Sequence, residues 1–401
     1  MRALDRRAME EYGIPDELLM ENAGQAVYYV ILDRAGVKGA RFLVVSGPGN
    51  NGGDGFVVAR KLHSAGGRVR VAVMTDPAGY IGPSANNLMR LEKSGVELLD
   101  RPGPEQVAKD LAWSDVVVDG LLGTGLTRDV EGPFAEVLQL INGAPVPVFS
   151  IDIPSGVDGD NGRIRGTAVQ ADTTVTFGLP KLGNVLEPGA TLGGRLYLSH
   201  ISFPPALIEN AGLPVVLNEP APIPANRSTS SPGVRSGVRR RDERRTSEAE
   251  QPLTIIQAID LSRSTGRTPA QIETDPITPV QELAGGRRTP VVVQGPRSLI
   301  GLPDGRVFIN ATGSSLRTFA GRDEIIRQAV RSLHDRGLSP ENALLTGVFL
   351  EGVAADLAAH AGTETTVTPR DIAAHLPHAI QMVGDESARG SPDHYRTPRV
   401  I

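Results

Sequence analysis

The sequence predicts an α/β fold, a doubly wound parallel sheet with helices on both faces, and three features carry that prediction. From Arg41 onward, strand-like apolar runs alternate with amphipathic, helix-like segments. That alternation implies a parallel sheet covered on both sides. Loops rich in Gly and Asp follow several of the strand-like runs, at the end where ligands bind in such sheets.

The elements follow in order. Leu4, Ala8, Met9 and Tyr12 recur at helical spacing before Ile14 and Pro15 break the pattern. A second helix is expected over 18–30. Residues 42–45 form a buried strand, 56–65 a helix and 69–74 the next strand. Apolar runs at 116–118 and 146–151 are further parallel strands, with amphipathic stretches at 88–93, 107–111 and 134–141 between them. At Asn218 the character changes. Residues 218–251 are rich in Pro, Ser, Thr and Gly and carry a basic run, Arg239 to Arg241 with Arg244 and Arg245. Nothing there can bury a core, so a disordered linker is expected. Acidic residues interleave the basic run, which favours a solvated linker over a nucleic-acid patch. Folded patterning returns over 252–385, and 386–401 is expected to be a flexible tail. The first domain is therefore 1–217.

Composition limits the function. A net charge of −5 argues against general attraction to nucleic acid. The absence of cysteine excludes disulfides, thiolate metal sites and cysteine nucleophiles. The charged N-terminus lacks the apolar stretch of a signal peptide, and no run of about 18 apolar residues suggests a membrane span. A cytoplasmic protein is expected. The seven histidines do not cluster. His375 and His378 stand three apart, but Pro377 between them is expected to spoil a helical metal face.

Three loops carry chemistry. The strongest is Ser46-Gly-Pro-Gly-Asn-Asn-Gly-Gly-Asp-Gly55, between a strand and a helix. Its glycines let the backbone approach a ligand, and the helix N-terminus suits a phosphate. Gly47, Gly49 and Gly52 match the dinucleotide fingerprint of dehydrogenases, with Asp76 in the position of its ribose-binding acid. Asn50, Asn51 and Asp54 put polar side chains where that fingerprint needs none, and a dehydrogenase leaves the other polar loops unexplained. Asp54 also has a plain structural reading as a helix N-cap. In the second loop Asp119 ends a buried strand before Gly123-Thr-Gly125; the bland alternative is a carboxylate capping the next turn. The third, Asp152-Ile-Pro-Ser155-Gly156, also ends a strand. Three such loops on one rim make a site.

In this order the motifs resemble those of the NAD(P)H-hydrate epimerases. Leu19-Met-Glu-Asn-Ala-Gly24 and Phe177-Gly-Leu-Pro-Lys181 belong to the same pattern, which covers essentially all of 1–217. The resemblance implies a Rossmann-like fold and isomerase activity on NADHX or NADPHX, the hydrated nicotinamide cofactors, with a homodimer left open. It implies that Asn50, Asn51, Gly52, Gly53 and Asp54, together with Gly123, Thr124, Gly125, Leu126, Thr127, Arg128 and Asp129, hold the dinucleotide. It implies one potassium ion per site on Asn51, Asp119 and Ser155, oxygen ligands that suit a hard cation. Asp152 is expected at the reacting ring as the acid/base, assisted by Lys181, whose alternative is a solvated strand-end lysine.

The C-terminal segment resembles part of the ribokinase-like, ADP-dependent NAD(P)H-hydrate dehydratases in 297–310, 337–343 and 352–358. It departs from them sharply. The N-terminal half of that domain is missing. Gln257-Ala-Ile-Asp260 stands for a His-Pro-Gly-Glu turn, Gln294-Gly295 for Lys-Gly, and Ala320-Gly-Arg-Asp323 for a glycine-lined anion hole with its aspartate. Losing glycines removes the backbone cradle for phosphate, and Arg322 adds bulk. The expectation is an epimerase with a degenerate, partial ribokinase-like appendage that uses neither ADP nor ATP. A bifunctional enzyme and a non-catalytic nucleotide- or protein-binding module are the alternatives. The full set Asn51, Asp119, Asp152 and Ser155 speaks against a mere binder. No nucleic-acid or membrane partner is expected.

Overall fold

The computed structural model describes residues 1–224, 253–313, 321–362, 367–388 and 399–400. They divide into two compact units, one built on Met1–Gly212 and one beginning at Leu213.

In the first unit, β1 (Arg41–Ser46), β2 (Arg68–Val73), β3 (Glu97–Asp100), β4 (Val116–Gly120), β5 (Val148–Ile151), β6 (Thr173–Phe177) and β7 (Arg195–Ser199) lie in the order β7-β6-β5-β4-β1-β2-β3. All pair in parallel. The helices are α1 (Arg2–Tyr12), α2 (Asp16–Ala35), α3 (Asn50–Ser64), α4 (Gly82–Lys93), α5 (Pro104–Trp113), α6 (Gly132–Gly143), and the short α7 (Leu182–Val185), α8 (Gly189–Leu192) and α9 (Pro205–Glu209).

Successive strand residues face opposite layers. Phe42 and Val44 pack with Ile31 of α2, Phe56 of α3 and Leu91 of α4. Leu43 and Val45 between them pack with Val107 and Leu111 of α5 and Val137 and Ile141 of α6. Both layers are needed because each such side chain stabilises the fold by roughly 1.5–3 kcal/mol only when fully buried. The doubly wound α/β prediction therefore holds. β3, β6 and β7 had no clear apolar run to announce them; β6 owes its strand form to Thr173, Thr174, Val175 and Thr176.

Two boundaries differ from expectation. α2 extends beyond 18–30 in both directions. α3 begins at Asn50 rather than Phe56, so much of the glycine loop is helical. Gly49, at φ 83°, turns the chain into the helix.

The second unit starts earlier than the expected linker allows. β8 (Val215–Leu217) pairs in parallel with a later strand of this unit, and Asn218 is buried, donating through Nδ2 to Asn310 Oδ1 at 3.0 Å and to the Leu345 carbonyl at 2.9 Å. The boundary falls at Gly212 rather than 217. The rest of the expected linker, from residue 225, lies outside the described residues. β9 (Thr254–Gln257), β10 (Val291–Gln294), β11 (Leu299–Gly301) and β12 (Val307–Ile309) complete a mixed sheet in the order β8-β12-β11-β10-β9. Its helices are α10 (Ala258–Thr265), α11 (Pro269–Thr274), α12 (Thr278–Arg287), α13 (Arg322–Asp335), α14 (Pro340–Ala361) and α15 (Pro369–Ala388). The second unit is thus an α/β segment, as expected. α14 is long and apolar enough by length and composition to cross a membrane, but 67% of that window is buried inside the protein, as in a central core helix. Pro377 lies inside α15 and does not end it. Arg399–Val400, in the expected tail, form β13 and pair antiparallel with β7.

Candidate functional site

The strand order of the first unit reverses between β1 and β4, which opens a crevice beyond their carboxyl ends. There lies a cavity of about 920 Å³, at the upper end of the usual size for small-molecule sites.

Backbone crowding at β1 explains its glycines. A Cβ on Gly47 would stand 1.7 Å from the Leu121 carbonyl oxygen, and one on Gly52 would stand 1.9 Å from the Gly47 oxygen. The same close approach seats the first turn of α3 against the crevice. Tyr80 donates from its hydroxyl to the Gly47 carbonyl at 2.8 Å and fixes the loop.

Asn50, Asn51, Asp54, Gly123, Thr124, Gly125, Leu126, Thr127, Arg128, Asp152 and Lys181 all line the cavity. Gly52 and Gly53 do not; they are buried in α3, and a Cβ on Gly53 would stand 2.4 Å from Ser84 Oγ. Asp129 is exposed outside the lining. Asp76 turns away too, accepting from the Ala78 amide at 3.0 Å. Asp54 is not an N-cap. It lies in the fifth position of α3, 8% exposed, with no hydrogen bond or ion pair among the described residues. Burial pushes its carboxyl well above the ordinary range, Asp152 and Asp5 push the same way, and Lys181 opposes them.

Asp152 stands in the left-handed region at φ 67°, a conformation that suggests a functional constraint in a non-glycine residue. Its Oδ1 accepts from Thr176 Oγ1 at 3.1 Å, from the Phe177 amide at 3.3 Å and from Lys181 Nζ in an ion pair. Lys181 is buried, 8% exposed in its side chain, and also donates to the Phe177 carbonyl at 3.1 Å. The solvated-lysine reading is thus excluded.

Asp119 and Ser155 lie beneath the rim, fully buried and outside the cavity lining. Ser155 Oγ donates to Asp119 Oδ1 at 2.5 Å; Ser150 Oγ and the Ser155 amide donate to Oδ2 at 2.8 and 2.9 Å. Asp119 also caps the following turn through the Leu121 amide at 3.3 Å. Burial pushes its carboxyl up, and these hydrogen bonds pull against the shift. No cation pairs with it among the described residues. Asn51, whose Nδ2 is buried without a partner, sits against Gly123.

Sequence reasoning missed the part of the cavity made by α1. Met1, Arg2, Asp5 and Met9 line it. Arg2, Asp5 and Met9 are three and four residues apart, on one helical face, so their spacing was a usable signal. Burial raises the Asp5 carboxyl, against the N-terminal amine and Lys181.

The model of the YjeF-related protein N-terminus family matches residues 16–183. The bifunctional NAD(P)H-hydrate repair enzyme Nnr of Thermofilum pendens is 32% identical over 503 aligned positions, with 96% of each chain covered. Those positions outnumber the 401 residues here, so at least 102 are gaps on this side. An NAD(P)H-hydrate epimerase of Limosilactobacillus fermentum is 36% identical over 199 positions, covering 50% of this chain and 92% of its own. The crystal structure of yeast ynu0 covers 53% of this chain and 90% of its own, with 23% identity and a TM-score of 0.48.

Proposed function

This chain belongs to the NAD(P)H-hydrate repair family, and from that premise we infer that its first unit interconverts the R and S hydrates of NADH or NADPH while its second unit no longer dehydrates them. One observation carries the first half. The helical glycine loop of α3, the 123–128 loop and the Asp152–Lys181 pair all open on one cavity at the switch point of the sheet.

The glycine-rich start of α3 suits the pyrophosphate, and Arg2 and Arg128 add positive charge to the lining. In the hydrate, a hydroxyl sits on the ring carbon beside the ring nitrogen. The nitrogen lone pair expels it, and water re-adds to the resulting iminium from either face. Three donors converge on Asp152 Oδ1, so this carboxylate serves as an acceptor and stabilises the cationic ring electrostatically. Lys181 holds it in place. No redox partner enters the balance.

Asn51, Asp119 and Ser155 would hold a potassium ion. The buried Asp119 carboxyl, which no cation pairs among the described residues, and the unpartnered Asn51 amide fit such an ion. When bound, the ion would supply fixed positive charge beneath the rim.

The second half rests on the second unit itself. Arg322, where the family has an anion hole, is buried and committed to Glu351 through bonds of 2.5 and 2.9 Å. Gln257 and Gln294, which stand for His and Lys of the dehydratase pattern that the segment resembles, bond to each other at 2.7 Å. The competing bifunctional reading draws on the 96% coverage of the Thermofilum enzyme; the gaps in that alignment count against it.

Chromatography of separated R and S hydrates incubated with the protein tests the epimerase reading. Interconversion above the spontaneous background is expected without any nucleotide; an unchanged epimer ratio would overturn it.

A further inference from the structure

We propose that Asp54 is the acid of this cavity, giving a proton to the departing ring hydroxyl and recovering one from the water that re-adds; the proposal rests on the epimerase reading of the same site.

Two carboxyls on one cavity, Asp152 and Asp54, differ in what holds them. Asp152 is held by Lys181, Thr176 and the Phe177 amide, all donors, so its bonded oxygen acts as a hydrogen-bond acceptor. Asp54 has no hydrogen-bond or ion-pair partner among the described residues, although it is only 8% exposed. A buried carboxyl with neither an ion pair nor a hydrogen-bond donor is far cheaper to keep neutral than ionised. The neutral form is also the one that can donate. Its position is rigid, because it belongs to the body of a helix rather than to a loop. A Cβ on Gly24 of α2 would stand 3.2 Å from the Asp54 carbonyl oxygen, so the two helices meet closely there.

The charged groups facing Asp54 come from three other elements. They are Asp5 of α1, Asp152 beyond β5 and Lys181 ahead of α7. Asp152 and Asp5 add to burial in favouring the proton, and Lys181 opposes them.

Asp54 transfers its proton to the hydroxyl oxygen as the carbon–oxygen bond breaks, and both bonding electrons leave with water. The ring nitrogen lone pair forms the carbon–nitrogen double bond, giving the iminium. Water then adds to the other face, its electrons forming the new carbon–oxygen bond, and its surplus proton returns to Asp54. Nothing is oxidised or reduced.

The experiment measures kcat and KM against pH for the full-length wild type, Asp54→Asn, Asp54→Glu and Asp152→Asn, with the uncatalysed rate subtracted. Only protonated Asp54 is active, so wild-type kcat should fall as pH rises through its elevated pKa. Asp54→Asn should lose about 10²–10⁴-fold in kcat with little change in KM, and should lose that alkaline fall. Asp152→Asn should be slow yet keep it. A merely structural role for Asp54 would not remove the pH limb. An Asp54→Asn variant with near wild-type kcat, or a slower one with the limb intact, overturns the proposal. Should Asp54→Asn fail to fold, Asp54→Glu decides: a displaced limb supports the assignment and an unmoved one overturns it. Inactive wild type would sink the epimerase reading itself, whereas active wild type with an unmoved limb sinks only the role of Asp54.

Discussion

Asp54 of the first unit and Glu351 of the second are both buried acids in the middle of helices, 8% and 1% exposed, yet their surroundings are opposite. Glu351 is closed off by a bidentate contact with Arg322. Asp54 faces a cavity with nothing to bond. Leaving a buried polar group unmatched costs stability, so the first unit keeps that cost where a ligand can use the group. The second unit has spent its buried charges on each other. A guanidinium already held by a carboxylate has little left to offer a phosphate.

The largest effect that could break this comparison is on folding. Arg322→Ala would strand Glu351 in the interior, and loss of one partner of a buried pair typically costs about 3–5 kcal/mol. Denaturant unfolding of the second unit should show that loss while epimerisation continues. Unchanged unfolding would mean that the pair is not structural. Next, Asp152→Asn should lower kcat on the order of 10²–10³-fold, far more than it changes KM, because the amide cannot balance a cationic ring. Near wild-type turnover would move that role to another group. Asp119→Ala should weaken the potassium dependence and the substrate affinity by roughly tenfold, as expected for losing charge-assisted contacts. Identical potassium titrations for variant and wild type would reduce Asp119 to a cap of the turn at Leu121. The smallest effect sharpens the comparison from the other side. Ending the chain at Gly212, which removes the second unit together with the edge strand β13, should leave kcat unchanged, since the cavity lining lies entirely before that residue. A folded but inactive fragment would show that the site needs more than its own unit.

Much of this was legible in the residues. The strand runs at β1, β2, β4 and β5 fixed the sheet because continuous apolar residues can be buried on both faces. The three polar loops then fell at the carboxyl ends of β1, β4 and β5. The start of α3 was hidden because glycines signal a loop by propensity, whereas here their lack of side chains is what lets a helix begin against the Leu121 carbonyl. That error also made Asp54 look like a cap. The share of α1 in the cavity was hidden because charged residues on an amphipathic helix ordinarily mean solvent. β8 was hidden because three residues, Val215 to Leu217, are too few to separate from the proline-rich stretch that follows. The ion pair of Arg322 could not be read at all, since Glu351 is 29 residues away.

One measurement tests the division of labour most directly. Purified R hydrate is incubated with the full-length protein and ADP or ATP, and both S hydrate and reduced cofactor are followed with time. The account predicts that the two hydrates approach their equilibrium ratio while no NADH or NADPH forms. Nucleotide-dependent appearance of reduced cofactor, at the expense of the S hydrate, would contradict it.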